Sequence, residues 1–400
     1  MSTAPEPREL AAVLYKKFFV AAAVFFIIFE VGYFANSSPP FDALGYLIGR
    51  DFVNMWTGWR AIAAGDPGSF YDFQVYNAVL RGIFGPSFPE HNWSYPPHLL
   101  LFTWPFGLLP YLTAYAVWCA VGVALLAAVA YACGMRRDQW LFLALAPATL
   151  VNIFAGQNGF FTAALLIGGF TVIDRRPVLA GVLFGLLTIK PQLGLLLPLM
   201  LVLTWRWTVI ASATVTVLAL VALSAAVFGP EVWQAYVAKA IPVQQEVMTK
   251  GSGIFLAMMP TAFMNMRTAG LGLGIAWTAQ ILVSVLAIAA VIWTYAQRRD
   301  AELSIALLVT ASFLVTPYAF NYDMVVFGWL IANLRDRTDS TPVDHRLALA
   351  VWTLPISAML LGVAGIPGSV LVLLAFAVRL LWRLKHAPLQ GPVTVGLARA

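Results

Sequence analysis

Two ionisable side chains in apolar or aromatic surroundings, Asp51 and Lys190, carry the first chemical interest of this 400-residue sequence. Asp51 stands in Arg50-Asp51-Phe52-Val53-Asn54-Met55-Trp56, which continues through Trp59 and Arg60 to Gly65. That pattern predicts an amphipathic helix lying at a membrane interface, with Gly65 as its stop. Two roles for the aspartate stay open: an N-cap, or a general base whose desolvated carboxylate takes a proton from a hydroxyl. Lys190 stands in Lys190-Pro191-Gln192, between two apolar runs. A cation there is costly unless hydrated or paired, so it reads as the partner of a phosphate or carboxylate, or as a lysine that snorkels from a short helix. Asn321-Tyr322-Asp323, after Thr316-Pro317, forms another polar cluster, equally readable as a capped helix start. Trp93-Ser94-Tyr95-Pro96-Pro97 reads as a helix stop, Gly156-Gln157-Asn158-Gly159 as a tight turn, and Gly181 with Gly185 as a helix-packing pair.

Several chemistries find no support. There is no G-x-x-x-x-G-K-[ST], no H-E-x-x-H, no C-x-x-C and no D-x-D of the kind that holds a metal-bound nucleotide sugar, so ATP-driven or nucleotide-dependent chemistry is unsupported. His91, His98, His345 and His386 make no plausible ligand set, since the last two fall on the predicted cytoplasmic side. Cys119 and Cys133 lie on one predicted helix about 21 Å apart, beyond disulfide reach.

The elements that must hold these residues are membrane helices. Of the chain, 61% is hydrophobic and 10% charged, against roughly a quarter charged in a soluble domain. That balance excludes a soluble fold, a coiled coil and disorder. The net charge of +6 comes from Lys and Arg scattered in short loops rather than from one stripe, which argues for membrane topology and against nucleic acid. Lys16 and Lys17 precede an apolar run to Phe34 with no small-residue cleavage site behind it, which we read as an uncleaved first span.

Basic clusters recur at Arg8/Lys16/Lys17, Arg136/Arg137, Arg175/Arg176, Arg206, Arg298/Arg299, Arg335/Arg337/Arg346 and Arg379/Arg383/Lys385, separated by apolar sequence for out-and-back pairs. The positive-inside rule then predicts an all-α bundle of about twelve spans forming one polytopic domain over 1–400, with cytoplasmic termini. The runs 177–189 and 191–205 are short, and their break at Lys190 implies a cavity or protein beside it. Two long connections, 36–97 and 229–270, fall on the extracytoplasmic side and mark it as the working face.

In order along the chain, Asp51, the Gly65-to-Tyr71-Asp72 stretch, Tyr95-Pro96-Pro97, Gly156-Gln157-Asn158-Gly159, Lys190-Pro191-Gln192 and Thr316-Pro317-Tyr318 leading to Tyr322-Asp323 resemble glycosyltransferase family 87. These are polyprenol-phosphate-mannose-dependent mannosyltransferases within the GT-C membrane glycosyltransferases. The resemblance implies transfer of a hexose, typically mannose, from a polyprenyl phosphate to a lipid-linked or cell-envelope glycan acceptor, with inversion and without nucleotide or obligatory metal. It also implies a plasma-membrane location. Asp51 would be the base that activates the acceptor hydroxyl, and Lys190 would neutralise the departing phosphate. Gln157, Asn158, Gln192, Tyr95, Asn321, Tyr322 and Asp323 would line the sugar and phosphate pocket. Where some relatives carry a His in the late motif, this chain has Asn321, Tyr322 and Asp323. The rival reading is a transporter or flippase of a lipid-linked saccharide, which broken helices and a buried lysine also suit. A polysaccharide polymerase or ligase would want essential arginines in a large outer loop.

Overall fold

The computed structural model describes residues 7–297 and 299–387, and every regular element among them is helical. Arg298 and the proline-containing start before residue 7 lie outside the described residues. Five helices are long and apolar enough to cross a bilayer: Tyr15–Ala35, Tyr111–Ala132, Trp207–Phe228, Leu273–Ala296 and Pro342–Val363. Arg137–Ala144 and Pro147–Ala155 make a sixth if counted together, bent by 48°. Pro147 accounts for the bend, because it lacks the N–H the helical ladder needs.

Twelve predicted spans thus correspond to five or six helices of full length among the described residues. The difference lies in six predicted spans: four fold as shorter apolar helices, Gly159–Val172, Pro177–Ile189, Pro191–Leu203 and Ala301–Val315, and two as the helices Val325–Arg335 and Ser369–His386. Every residue from Leu303 to Leu314 is buried. A helix apolar on all sides belongs inside a bundle whether or not it spans lipid, and apolarity alone therefore does not distinguish the two. The first helix is the reverse case, with no residue of its apolar window buried. It meets the bundle through Tyr15 edge-on to Phe142 and through Phe29 and Tyr33 against Phe154.

The predicted packing pair does pack helices. A Cβ on Gly181 would stand 2.5 Å from the Val209 carbonyl oxygen, and one on Gly185 would stand 2.6 Å from the Thr216 Cβ. Only glycine lets the Pro177–Leu186 helix approach the Trp207–Phe228 helix this closely.

The bundle has two unlike ends. Val325–Arg335 runs between them, with Asp323 just before its start and Arg335 at its finish. The Arg335 end is a lattice of ion pairs: Arg136 with Asp336 at 2.7 Å, Arg335 with Asp336 at 2.9 Å and with Asp138, and Arg337 with Asp300 at 3.1 Å. The Asp323 end carries the connections 36–97 and 229–270, which fold into short helices such as Phe52–Ala63, Phe73–Phe84 and Ile241–Lys250. Three apolar clusters meet there. Phe52, Trp56, Trp93 and Trp118 belong to one, Ala155 and Tyr322 to a second, Phe160 and Met324 to the third.

Candidate active site

Asp51 precedes the Phe52–Ala63 helix, and Gly65 beyond its end has φ +76°. A helix and its stop stand where expected, but Phe52 to Gly58 are all buried, so its first half is packed inside the protein instead of lying at an interface, and the carboxylate makes no capping hydrogen bond. Asp51 itself is helical, with φ −76° and ψ −10°, and Arg50 before it has a left-handed φ of +37°, which costs a non-glycine residue roughly 1 kcal/mol. The Arg50 guanidinium offsets this through a 2.6 Å ion pair with Asp42 and stacking 4.3 Å over the Tyr46 ring. Freed from the helix, Asp51 Oδ2 accepts a hydrogen bond from Gln157 Nε2 at 2.9 Å.

Gln157 is 4% exposed, and its neighbours dictate how its amide lies. A carboxylate can only accept, so the NH2 faces Asp51 and the oxygen is left for a donor. Tyr95 supplies it: its hydroxyl donates to Gln157 Oε1 at 3.0 Å. Tyr95 is positioned in turn by Tyr71, whose hydroxyl donates to the Tyr95 carbonyl at 2.8 Å. The Trp118 indole N–H donates to the Gln157 backbone carbonyl at 3.3 Å. Three distant stretches thus converge on one carboxylate.

The glycines flanking Gln157 and Asn158 do more than turn the chain. Gly156 has φ +61°, and a Cβ on it would lie 2.5 Å from Phe52 Cβ and 2.6 Å from the Gly49 carbonyl oxygen. A Cβ on Gly159 would lie 2.2 Å from the Tyr322 carbonyl oxygen. The turn is therefore wedged between the Asp51 segment and the Asn321-Tyr322-Asp323 segment, with almost no room on either side. Backbone bonds fasten it, from Asp51 N–H to the Ala155 carbonyl at 3.0 Å and from Gly159 N–H to Asn152 Oδ1 at 2.8 Å. Asn158 is wholly buried, and neither polar atom of its side chain has a partner.

Lys190 falls where the chain breaks. It has φ −137° and ψ 75° between the 3-10 turns Leu187–Ile189 and Pro191–Gly194. Its partner is a carboxylate: Nζ lies 2.6 Å from Asp323 Oδ1, with Lys190 4% and Asp323 1% exposed. The ammonium also sits 4.5 Å from the Tyr322 ring centroid. Asp323 Oδ2 accepts from the Phe320 N–H at 3.2 Å, and Asn321 Nδ2 donates to the Pro355 carbonyl at 2.8 Å. Lysine snorkelling is thereby excluded, since the charge is held inside the protein. Gln192 is half-buried and joins none of these hydrogen bonds.

The two carboxylates share one neighbourhood. Burial pushes the Tyr318 phenol up; a hydrogen bond with Gln244 opposes that rise, and Asp51 and Asp323 both add to it. Tyr95 is likewise raised by burial and by the same two carboxylates. Both hydroxyls therefore remain protonated donors. Gln244, in Ile241–Lys250, is a residue that sequence reasoning missed: it also takes a 3.5 Å hydrogen bond from Asn92 and so ties the second long connection to the first. Its sequence surroundings offered no signal. Tyr318 had one, being part of the Thr316-Pro317-Tyr318 stretch.

Neither the curated proteins nor the solved structures include a match to this chain. A protein-family profile does match, over residues 93–317, more than half of the sequence. The matched region contains Tyr95, Gln157, Asn158, Lys190 and Gln192 and stops short of both Asp51 and Asp323, which the fold then brings to it. Apolar helices long enough to span a bilayer and this match agree: the chain belongs to glycosyltransferase family 87 and is a membrane glycosyltransferase.

Proposed function

We propose that the protein transfers a hexose, mannose in the first instance, from a polyprenyl-phosphate sugar to a hydroxyl of a lipid-linked or cell-envelope glycan acceptor. The reaction takes place at the extracytoplasmic face of the plasma membrane, within a GT-C-type bundle whose short apolar helices complete about twelve crossings. Asp51 takes the proton from the acceptor hydroxyl. The oxygen attacks the anomeric carbon opposite the phosphate, the bond from that carbon to the phosphate oxygen breaks, and polyprenyl phosphate departs with one more negative charge. Lys190 lies where that charge develops. Tyr95 and Gln157 orient the base, and Asn158, Gln192, Asn321 and Tyr322 line the sugar and phosphate pocket.

The observation that carries this reading is that Asp51 forgoes its helix and points instead at Gln157. A capping aspartate has no reason to do so. The test is sugar transfer by purified protein in detergent with a panel of polyprenyl-phosphate sugars and nucleotide sugars. Transfer from nucleotide sugars alone would refute the donor class.

A further inference from the structure

The Lys190–Asp323 pair poses a charge problem for the proposed reaction. The ammonium is already neutralised by a carboxylate at 2.6 Å inside the protein. A sugar phosphodiester brings a further negative charge, and its departure as a phosphomonoester creates another. With its charge already offset by Asp323, Lys190 meets that added charge in full only when its bond to Asp323 opens.

The geometry makes the two halves of the pair unequal. Asp323 is fixed by its own turn: Oδ2 accepts from the Phe320 N–H at 3.2 Å, within the single 3-10 turn Asn321–Met324. That bond does not involve Lys190 and survives its departure. Lys190 carries its charge on a flexible four-carbon stem with three donor hydrogens, and the Tyr322 ring, 4.5 Å from Nζ, gives the ammonium a π-face as it swings.

We propose that Asp323 is an exchangeable counter-ion, which holds the Lys190 ammonium in place until the donor phosphate takes it over. The proposal rests on the phosphate role of Lys190 given above. It makes Asp323 a positioning and specificity residue: an uncharged lipid cannot draw Lys190 from a carboxylate, so only an anionic headgroup opens the pair. On release of the product phosphate the carboxylate recaptures the lysine.

The test uses the purified full-length protein in detergent with farnesyl phosphate as probe, and with farnesol and inorganic phosphate as controls that separate the isoprenyl chain from the phosphate. Removing the competing carboxylate in Asp323→Asn should tighten farnesyl phosphate binding by about tenfold or more, since the lysine no longer has a partner to leave. Farnesol binding should not change, and inorganic phosphate should follow the farnesyl phosphate trend at higher concentration. Unchanged or weaker farnesyl phosphate binding by Asp323→Asn, with binding lost in Lys190→Met, overturns the exchange and leaves the phosphate role standing. Wild-type binding by Lys190→Met overturns the phosphate role itself. If Asp323→Asn accumulates only unfolded, its folded yield is measured after extraction with farnesyl phosphate or farnesol. Recovery by the phosphate alone is expected, and no recovery overturns the exchange.

Discussion

Replacing Asp51 by Asn separates chemistry from architecture with a single oxygen. Had the carboxylate capped the Phe52–Ala63 helix, the change would be silent, because Asn caps as well as Asp. Here no capping bond is made, so the helix loses at most the interaction of a negative charge with its N-terminus, about 0.3–1 kcal/mol. The hydrogen bond from Gln157 can persist to the amide oxygen. The proton acceptor cannot. Loss of a general base typically costs about 100- to 10,000-fold, which is about 2.7–5.5 kcal/mol in the barrier. Asp51→Asn should therefore show a single-turnover transfer rate reduced on that scale while its melting point stays near wild type; Asp51→Ser should lose transfer on the same scale and also melt lower, because the shorter side chain leaves Gln157 Nε2 without its acceptor. The assay is rapid-quench transfer with saturating donor, beside thermal melting of the same preparations. Transfer by folded Asp51→Asn within about threefold of wild type would refute the base.

Further substitutions probe the rest of the site. Lys190→Met strands a buried carboxylate and should cost roughly 3–5 kcal/mol of stability; adding Asp323→Asn should restore most of the melting point but none of the transfer, and recovered transfer would show the lysine to be structural. Gly159→Ala places a methyl where the Tyr322 carbonyl already stands; a loss of about 1–3 kcal/mol on thermal melting is expected, and an unchanged melting point would mean that the turn is not wedged. A cysteine at Ser69 should react with an impermeant thiol reagent in intact cells while one at Asp339 should not, and the reverse labelling would invert the proposed orientation.

What could be read from the sequence was local. Lys190-Pro191 announces its own break, because a proline and a charge in an apolar run admit few explanations, and the 3-10 turns on either side bear that out. The helix after Asp51 and its Gly65 stop follow from short-range pattern in the same way. Partners were not legible. Gln157 meets Asp51 across 106 positions and Lys190 meets Asp323 across 133, and no periodicity encodes such meetings. Lys190 was open between phosphate, carboxylate and lipid surface, and only the fold supplied the carboxylate. Gly156-Gln157-Asn158-Gly159 looked complete as a turn because its glycines satisfy turn chemistry. That they also admit two neighbouring backbones is visible only in three dimensions. Which apolar runs become full-length helices is not legible for a related reason, since an interior helix and a lipid-facing one use the same residues.

The sequence distance between Lys190 and Asp323 has a consequence for biosynthesis. A ribosome adding about 5–20 residues per second takes about 7–27 seconds to travel the 133 positions between them. Throughout that interval the lysine has been made and its counter-charge does not yet exist. A chain that had to commit Lys190 to the middle of a long lipid-facing helix would bear the cost of a lone cation for all of it. The break at Pro191 avoids this, since two short segments can wait near the aqueous boundary and move inward once the carboxylate arrives. Nascent chains arrested just before residue 323 should therefore keep a cysteine at position 189, beside the native Lys190, open to aqueous thiol reagents, and chains arrested well beyond it should close that position off.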